Sequence, residues 1–162
     1  MKVLFQTKRE DLSFVIFATM VFVLALVVTA WDFIVIQKMI FRFGLLAVIG
    51  LVLFLMGVAL RLVGRMTLGK YYSYGLRTLP DQKLVKHGIY RYIRHPISLA
   101  AIIYSIGAPL IFSSLFGFLL MLLLIPLILY RLGIEEKMLI ERFGDEYREY
   151  MRKTKKMIPF IY

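Results

Sequence analysis

The amino-acid sequence predicts an all-α integral membrane protein: about four transmembrane helices, two of them paired in a short hairpin, then cytosolic amphipathic helices at the C-terminus. Three observations carry this. The 162-residue chain is 60% hydrophobic with a mean hydropathy of +0.78, too apolar for an ordinary soluble domain. Its charges avoid three long runs, Leu12 to Trp31, Phe43 to Leu60 and Pro96 to Tyr130, and gather between them. The last run, 35 residues long, exceeds one span but suffices for two of about 17.

The first eleven residues carry Lys2, Lys8 and Arg9 beside Glu10 and Asp11, and no small-residue cleavage site follows, which predicts a retained first helix. Residues 12–31 form the first expected span, with Trp31 as an interfacial anchor. Asp32 to Arg42 reads as a short connection. The second span is expected over residues 43–63. Gly50, Gly57 and Gly64 recur there at every seventh position, nearly one stripe on a helix, the pattern of close helix approach in lipid.

Between Gly64 and Pro96 seven Lys or Arg, at 65, 70, 77, 83, 86, 91 and 94, meet one acid, Asp81, so the loop over 64–95 is expected on the cytoplasmic side. Its glycines, its aromatic residues and the Leu79-Pro80-Asp81 turn signal predict a segment folded against the membrane face. Residues 96–112 and 115–131 form the expected hairpin, turning near Ser113 and Ser114, with Pro109 or Pro126 as sites of a kink. The hairpin tip carries no Lys or Arg, which assigns it to the opposite side and both termini to the cytoplasm.

Residues 132–158 read as cytosolic amphipathic helices. Leu132, Glu136, Leu139, Phe143, Tyr147 and Tyr150 recur at steps of three and four, so one carboxylate, Glu136, falls on the apolar stripe. Gly144 and Asp145 read as a C-cap and a new N-cap, and Pro159 as the end of the second helix, with MIPFIY returning to the membrane surface.

The composition removes several chemistries. Cysteine is absent, which excludes disulfides, thiolate nucleophiles and cysteine metal sites. His87 and His95 are the only histidines, and no HExxH or equivalent cluster accompanies them, so no metal is expected. GxSxG, GxxxxGK[ST] and GxGxxG patterns are missing, and no carboxylate lies within the apolar spans. A hydrolase, an NTPase or an ion-coupled transporter lacks its usual residues. The net charge of +11 flanks the spans and forms no dense run, which points to anionic lipid headgroups and not to nucleic acid.

What remains is residues 86–100, KHGIYRYIRHPISLA, where tyrosines, arginines and a histidine stand immediately before a proline and an apolar run. Proline at 96 disfavours helical geometry at His95, so the next helix starts at or just after it, leaving Tyr90, Arg91, Tyr92, Arg94 and His95 at the membrane boundary. The hairpin topology brings Glu135 and Glu136 to the same side. Such a place suits a ligand with both a cationic and an anionic group. Interfacial anchoring and structural ion pairs are the commoner explanations of the same residues.

GIYRYIRHP, followed after the hairpin by IEEKMLIERFGDEYREYMRKTKKMIP, resembles the isoprenylcysteine carboxyl methyltransferase family and, more broadly, membrane methyltransferases that include phospholipid N-methyltransferases. The resemblance covers about residues 64 to 160 and includes LVKHG. It implies a cytosol-facing pocket for S-adenosylmethionine and a lipophilic acceptor entering from the bilayer. By position it assigns the cofactor to His95, Pro96 and the backbone around Leu84, Val85 and Gly88, with Tyr90 and Tyr92 lining the site. Glu135 and Glu136 match the family's glutamate pair, to meet the cofactor or orient an arginine, and Arg91, Arg94 and Arg131 would steer the acceptor. The family usually has tyrosine and glycine where this chain has Ser98 and Ala100, which puts cofactor affinity and substrate class in question more than fold. The implied acceptor is a carboxylate. A phospholipid amine, or a non-catalytic scaffold that keeps the fold, are the alternatives.

Overall fold

The computed structural model describes residues 2–41, 43–72 and 83–157, with side chains from residue 12 onward. Six α-helices carry the architecture: α1 (Lys2–Trp31), α2 (Leu45–Leu68), α3 (Pro96–Ile111), α4 (Leu115–Leu122), α5 (Leu124–Phe143) and α6 (Asp145–Lys153). Among the described residues the only β-type pairing is an isolated parallel bridge between Ile93 and Lys155. Three stretches, Leu12–Ile36, Leu45–Tyr71 and Leu115–Phe143, are long and apolar enough to cross a membrane, and α3 is a shorter apolar helix of 16 residues. At 1.5 Å per residue α3 rises only about 24 Å, less than the roughly 30 Å of a bilayer core.

Two helix pairs make the bundle: α2 runs along α3, and α1 leans on α4. The glycine stripe explains the first pair. A Cβ on Gly50 would lie 2.5 Å from the Ile111 backbone nitrogen, and one on Gly57 2.7 Å from that of Tyr104. From the other side a Cβ on Gly107 would meet the Phe54 nitrogen at 2.6 Å. Backbone therefore lies on backbone, the close van der Waals packing that substitutes for a hydrophobic driving force between helices in lipid. In the second pair Ala25, Met121 and Leu124 form the buried cluster, and the Thr29 hydroxyl fills the space left by the missing side chain of Gly117.

The hairpin turns where expected. Ser113 has φ +52°, and the Ser114 hydroxyl accepts a hydrogen bond from the Gly117 amide at 3.1 Å, capping α4. Phe33 and Phe41 pack edge-on against Phe112, and Gln37 donates to the Phe112 carbonyl, so the end of α1 closes over the hairpin tip.

Several boundaries differ from expectation, each for a physical reason. Asp32 to Ile36, expected as connection, continues α1 as a π-helical turn. The second helix does not stop at residue 63 but runs to Leu68, because Gly64 packs against Ile97 and the helix ends only at Gly69, with φ +53° and its amide on the Arg65 carbonyl. The last span is not one helix over 115–131. Pro126 lacks the N–H that would bond the Leu122 carbonyl, so α4 ends at Leu122 and α5 starts at Leu124. Helix α5 then passes residue 131 without a break and stops at Gly144, φ +55°, which also precedes α6, so Asp145 is the first residue of that helix. Helix α6 ends at Lys153, well before Pro159, because Thr154 turns extended and the chain joins the loop before α3. Leu79-Pro80-Asp81 and the tail from Ile158 lie outside the described residues.

Gly57→Leu should therefore destabilise the protein by about 1–3 kcal/mol or more through overpacking. Gly133→Ala should gain up to about 1 kcal/mol, since that helical glycine has no neighbouring atom within 4 Å of its added Cβ. Melting of the detergent-solubilised variants, followed by Trp31 fluorescence, measures both.

Candidate active site

The site is built where three parts of the chain are tied together. The loop before α3 makes a 3-10 turn over Gly88–Arg91, and residues 92–95 then pair with the chain after α6. The Lys155 amide donates to the Tyr92 carbonyl, the Arg94 amide to the Lys155 carbonyl, and the His95 amide to the Lys156 carbonyl, all at 2.9–3.1 Å. Tyr150 in α6 donates its hydroxyl to the Tyr90 carbonyl at 2.6 Å. Helix α5 supplies the third part. Its buried Glu136 accepts from Arg94 Nε at 3.0 Å through Oε1, lies 3.3 Å from His95 Nε2, and meets Lys156 Nζ at 3.0 Å through Oε2. Arg94 also donates through Nη1 to the carbonyls of Met151 and Thr154.

Glu136 is thus the carboxylate hub of a buried cluster with two fixed cations and an imidazole. Its partners stand 42 residues before it and 20 after it in the chain. Paired and hydrogen-bonded on both oxygens, it satisfies the condition under which a buried charge is tolerated.

Above this cluster, between α2, α3, α5, α6 and the loop, lies a cavity of about 380 Å³, within the range of small-molecule sites. Of the residues expected at the site, Leu84, Val85, Tyr90, Arg94, His95 and Glu135 line it, and so does Arg131. The others stand elsewhere. Glu136 lies behind the wall in its ion cluster; Gly88, at φ +59°, packs against Thr67; and Pro96 is the buried first residue of α3 beside Gly64. Arg91 and Tyr92 are exposed and do not contribute to the lining. The 3-10 turn selects between neighbours: it sends Tyr90 inward and leaves Arg91 and Tyr92 outward.

Other lining residues were not singled out in the sequence. Tyr147 and Tyr150 lay on the amphipathic stripe, which signalled burial only; Lys83 lay among many basic loop residues; and Arg61 was absorbed into the end of the second span. Tyr147 is 1% exposed and its hydroxyl has no hydrogen-bond partner among the described residues, an uncommon state for a buried polar group. Burial raises the pKa of Tyr147 beyond the usual tyrosine range and that of Tyr150 to about 12, so both hydroxyls are donors at neutral pH. The cavity wall therefore holds Arg61, Lys83, Arg94 and Arg131 against one carboxylate, Glu135, whose Oε2 lies 3.8 Å from His95 Nδ1. Such a wall suits a small ligand that carries both an amine and a carboxylate. Among the described residues no group of His, Asp and Glu could hold a metal.

Residues 48–141 match the model of the isoprenylcysteine carboxyl methyltransferase family. The chain belongs to that family. It is 33% identical over 116 residues to a probable protein-S-isoprenylcysteine O-methyltransferase of Oryza sativa subsp. indica, covering 70% of this chain and 61% of that one. It is also 33% identical over 120 residues to the protein-S-isoprenylcysteine O-methyltransferase of Saccharomyces cerevisiae, covering 72% of this chain and 50% of the other. The chain spans about half to three-fifths of the length of these curated relatives. A solved structure of a eukaryotic intramembrane Ras methyltransferase, isoprenylcysteine carboxyl methyltransferase, superposes with a TM-score of 0.71 at 28% identity, over 88% of this chain and 52% of that one. Membership and apolar helices together make this a multi-pass integral membrane protein.

Two of the family's usual residues differ here. Ser98 lines the cavity. Ala100 is fully buried in α3, and its carbonyl oxygen would lie 3.0 Å from a Cβ added to Gly57 of α2, so the two helices approach closely at this position.

Removing the charge at the hub should be severe. Glu136→Gln leaves the partly buried Arg94 and Lys156 without a carboxylate, and should lower stability by on the order of 3–5 kcal/mol, whereas Glu135→Gln should stay within about 1 kcal/mol. Tyr147→Phe removes a hydroxyl that bonds nothing among the described residues, so the unliganded protein should be at least as stable as the parent. Melting temperatures of the three variants measure these differences.

Proposed function

We propose that this chain is an S-adenosylmethionine-dependent methyltransferase acting at the membrane on a lipophilic acceptor that ends in a carboxylate, of the isoprenylcysteine type. The observation that carries the reading is a basic cavity with one carboxylate and, among the described residues, a buried hydroxyl without a partner, walled by polar loop and tail on one side and apolar helices on the other. When bound, S-adenosylmethionine supplies an electrophilic methyl group, and its transfer to a carboxylate oxygen breaks the carbon–sulfur bond and leaves a neutral thioether.

The residues fit a zwitterionic ligand of this kind. Glu135 would meet its amino group, His95 and Tyr147 would donate or accept hydrogen bonds along it, and Leu84 and Val85 would offer backbone groups and apolar contact. Tyr90 closes the wall, its carbonyl held by Tyr150. Arg131, a cation on the α5 wall of the cavity, would steer the acceptor carboxylate into it. Arg94 is a positioning residue: bound to Glu136 and to the carbonyls of Met151 and Thr154, it fixes the segment that carries His95.

A carboxylate is ionised at neutral pH and needs no base, so alignment and exclusion of water suffice for the transfer. An amine acceptor would need a base to remove its proton, and the wall is dominated by cations that would repel it. The carboxylate reading is favoured over the phospholipid amine on that ground. The basic segment between α2 and α3 and the tail would face the cytoplasm, by the excess of Lys and Arg there.

Isothermal titration of the solubilised protein should detect S-adenosylmethionine binding. His95→Ala should weaken it about tenfold or more, the loss expected for a hydrogen bond to a charged ligand, while Arg91→Ala should leave it unchanged. Labelled methyl transferred to the acceptor should be released as methanol in base. A base-stable product would assign an amine instead.

A further inference from the structure

Helix α2 carries a charge inside the membrane-spanning stretch Leu45–Tyr71 that the reading above does not use. Arg61 stands one turn after Gly57, which packs on Tyr104, and one turn before Gly64, which packs on Ile97. It is therefore inside the α2–α3 pair, deeper in the membrane than the His95 corner that begins α3. Its guanidinium carbon lies 5.9 Å from the centre of the Tyr104 ring, and among the described residues no carboxylate pairs with it. Glu136, the buried acid of the site, is already taken by Arg94 and Lys156.

An arginine stays ionised in any protein environment, so the cation–π contact is its only observed compensation among the described residues. Charges placed within membrane spans are expensive and commonly serve a ligand path. Arg61 does line the cavity, together with Val15 of α1, Ser98 and Ala101 of α3 and Ile128 of α5. This is the apolar, membrane-side end. The small side chains at 98 and 101 leave space there, whereas Glu135, Tyr147 and Leu84 belong to the loop-and-tail end.

We infer that Arg61 is an anchor for the acceptor's carboxylate, holding it at the membrane-side end of the cavity while the lipophilic chain stays among the helices. The inference rests on the carboxylate-acceptor reading and adds the residue that selects for it. The cofactor also ends in a carboxylate, but the groups suited to its amine lie at the opposite end of the cavity.

The test compares N-acetyl-S-farnesylcysteine with its carboxamide, binding to protein in lipid nanodiscs, for the parent, Arg61→Gln and Arg61→Lys. Binding of S-adenosylhomocysteine to the same samples reports both folding and the cofactor end. The parent should favour the acid by about tenfold or more, a charge-assisted contact, and Arg61→Gln should abolish that preference by weakening the acid alone. Arg61→Lys should restore part of it, and S-adenosylhomocysteine affinity should move less than about twofold in both variants, as for an uninvolved site. A preference for the acid kept by Arg61→Gln would overturn the inference without touching the acceptor class. So would a parallel loss of S-adenosylhomocysteine binding with the acid preference intact, which would give Arg61 to the cofactor. A parent that binds neither farnesyl compound would overturn the acceptor class and this assignment with it.

Discussion

The site depends on the pairing of Glu136 with Arg94, His95 and Lys156. One carboxylate in α5 fixes the segment before α3 and the tail after α6, and these close the polar side of the cavity. A charge so buried is stable only with its partners in place, so the cluster acts as a unit: loop, helix and tail assume their relation together. The backbone bonds between residues 92–95 and 155–156 extend the same constraint, because they set the direction in which His95 and Arg94 leave the chain.

Such a closure has to sit on a rigid base. The α2–α3 pair supplies it, with glycines at 50, 57 and 107 bringing backbones into direct contact. Helix α3 starts at Pro96, so the His95 corner is anchored at once to the most tightly packed part of the bundle. Helix α1 belongs to the other pair and hardly touches α2, yet Val15 reaches the cavity. The membrane-side end of the cavity thus combines the closely packed α2 and α3 with α1 and α5, which touch them less. A polar face opposite an apolar one matches a ligand held by its charged end and a lipophilic partner arriving from the bilayer.

Much of this was legible in the amino-acid sequence where local rules govern it. The glycine spacing encoded close helix approach, the serines marked the hairpin turn, and the three-and-four stripe from Leu132 to Tyr150 placed Glu136 on a buried face. Proline at 126 marked the break in the last span. Hydropathy misjudged where helices end, because Glu, Lys, Arg, Leu and Met beyond residue 131 favour helix as readily as the apolar residues before them. Asp32 to Ile36 shows the same limit at the other end of the bundle.

What local pattern did not supply is partner choice. Nothing near Glu136 announces that it pairs with Arg94 and Lys156 and leaves the cavity to Glu135. Nor does GIYRYIRHP say which of its aromatic and basic side chains turn inward; a four-residue 3-10 turn decides that. The most direct measurement of the account is a cryo-EM structure of the protein in a nanodisc with S-adenosylhomocysteine. The account predicts the adenosyl ligand between His95, Glu135 and Tyr147, with Glu136 still bound to Arg94 and Lys156. Ligand density outside this cavity, or a Glu136 that abandons Arg94 to contact the ligand, would contradict it.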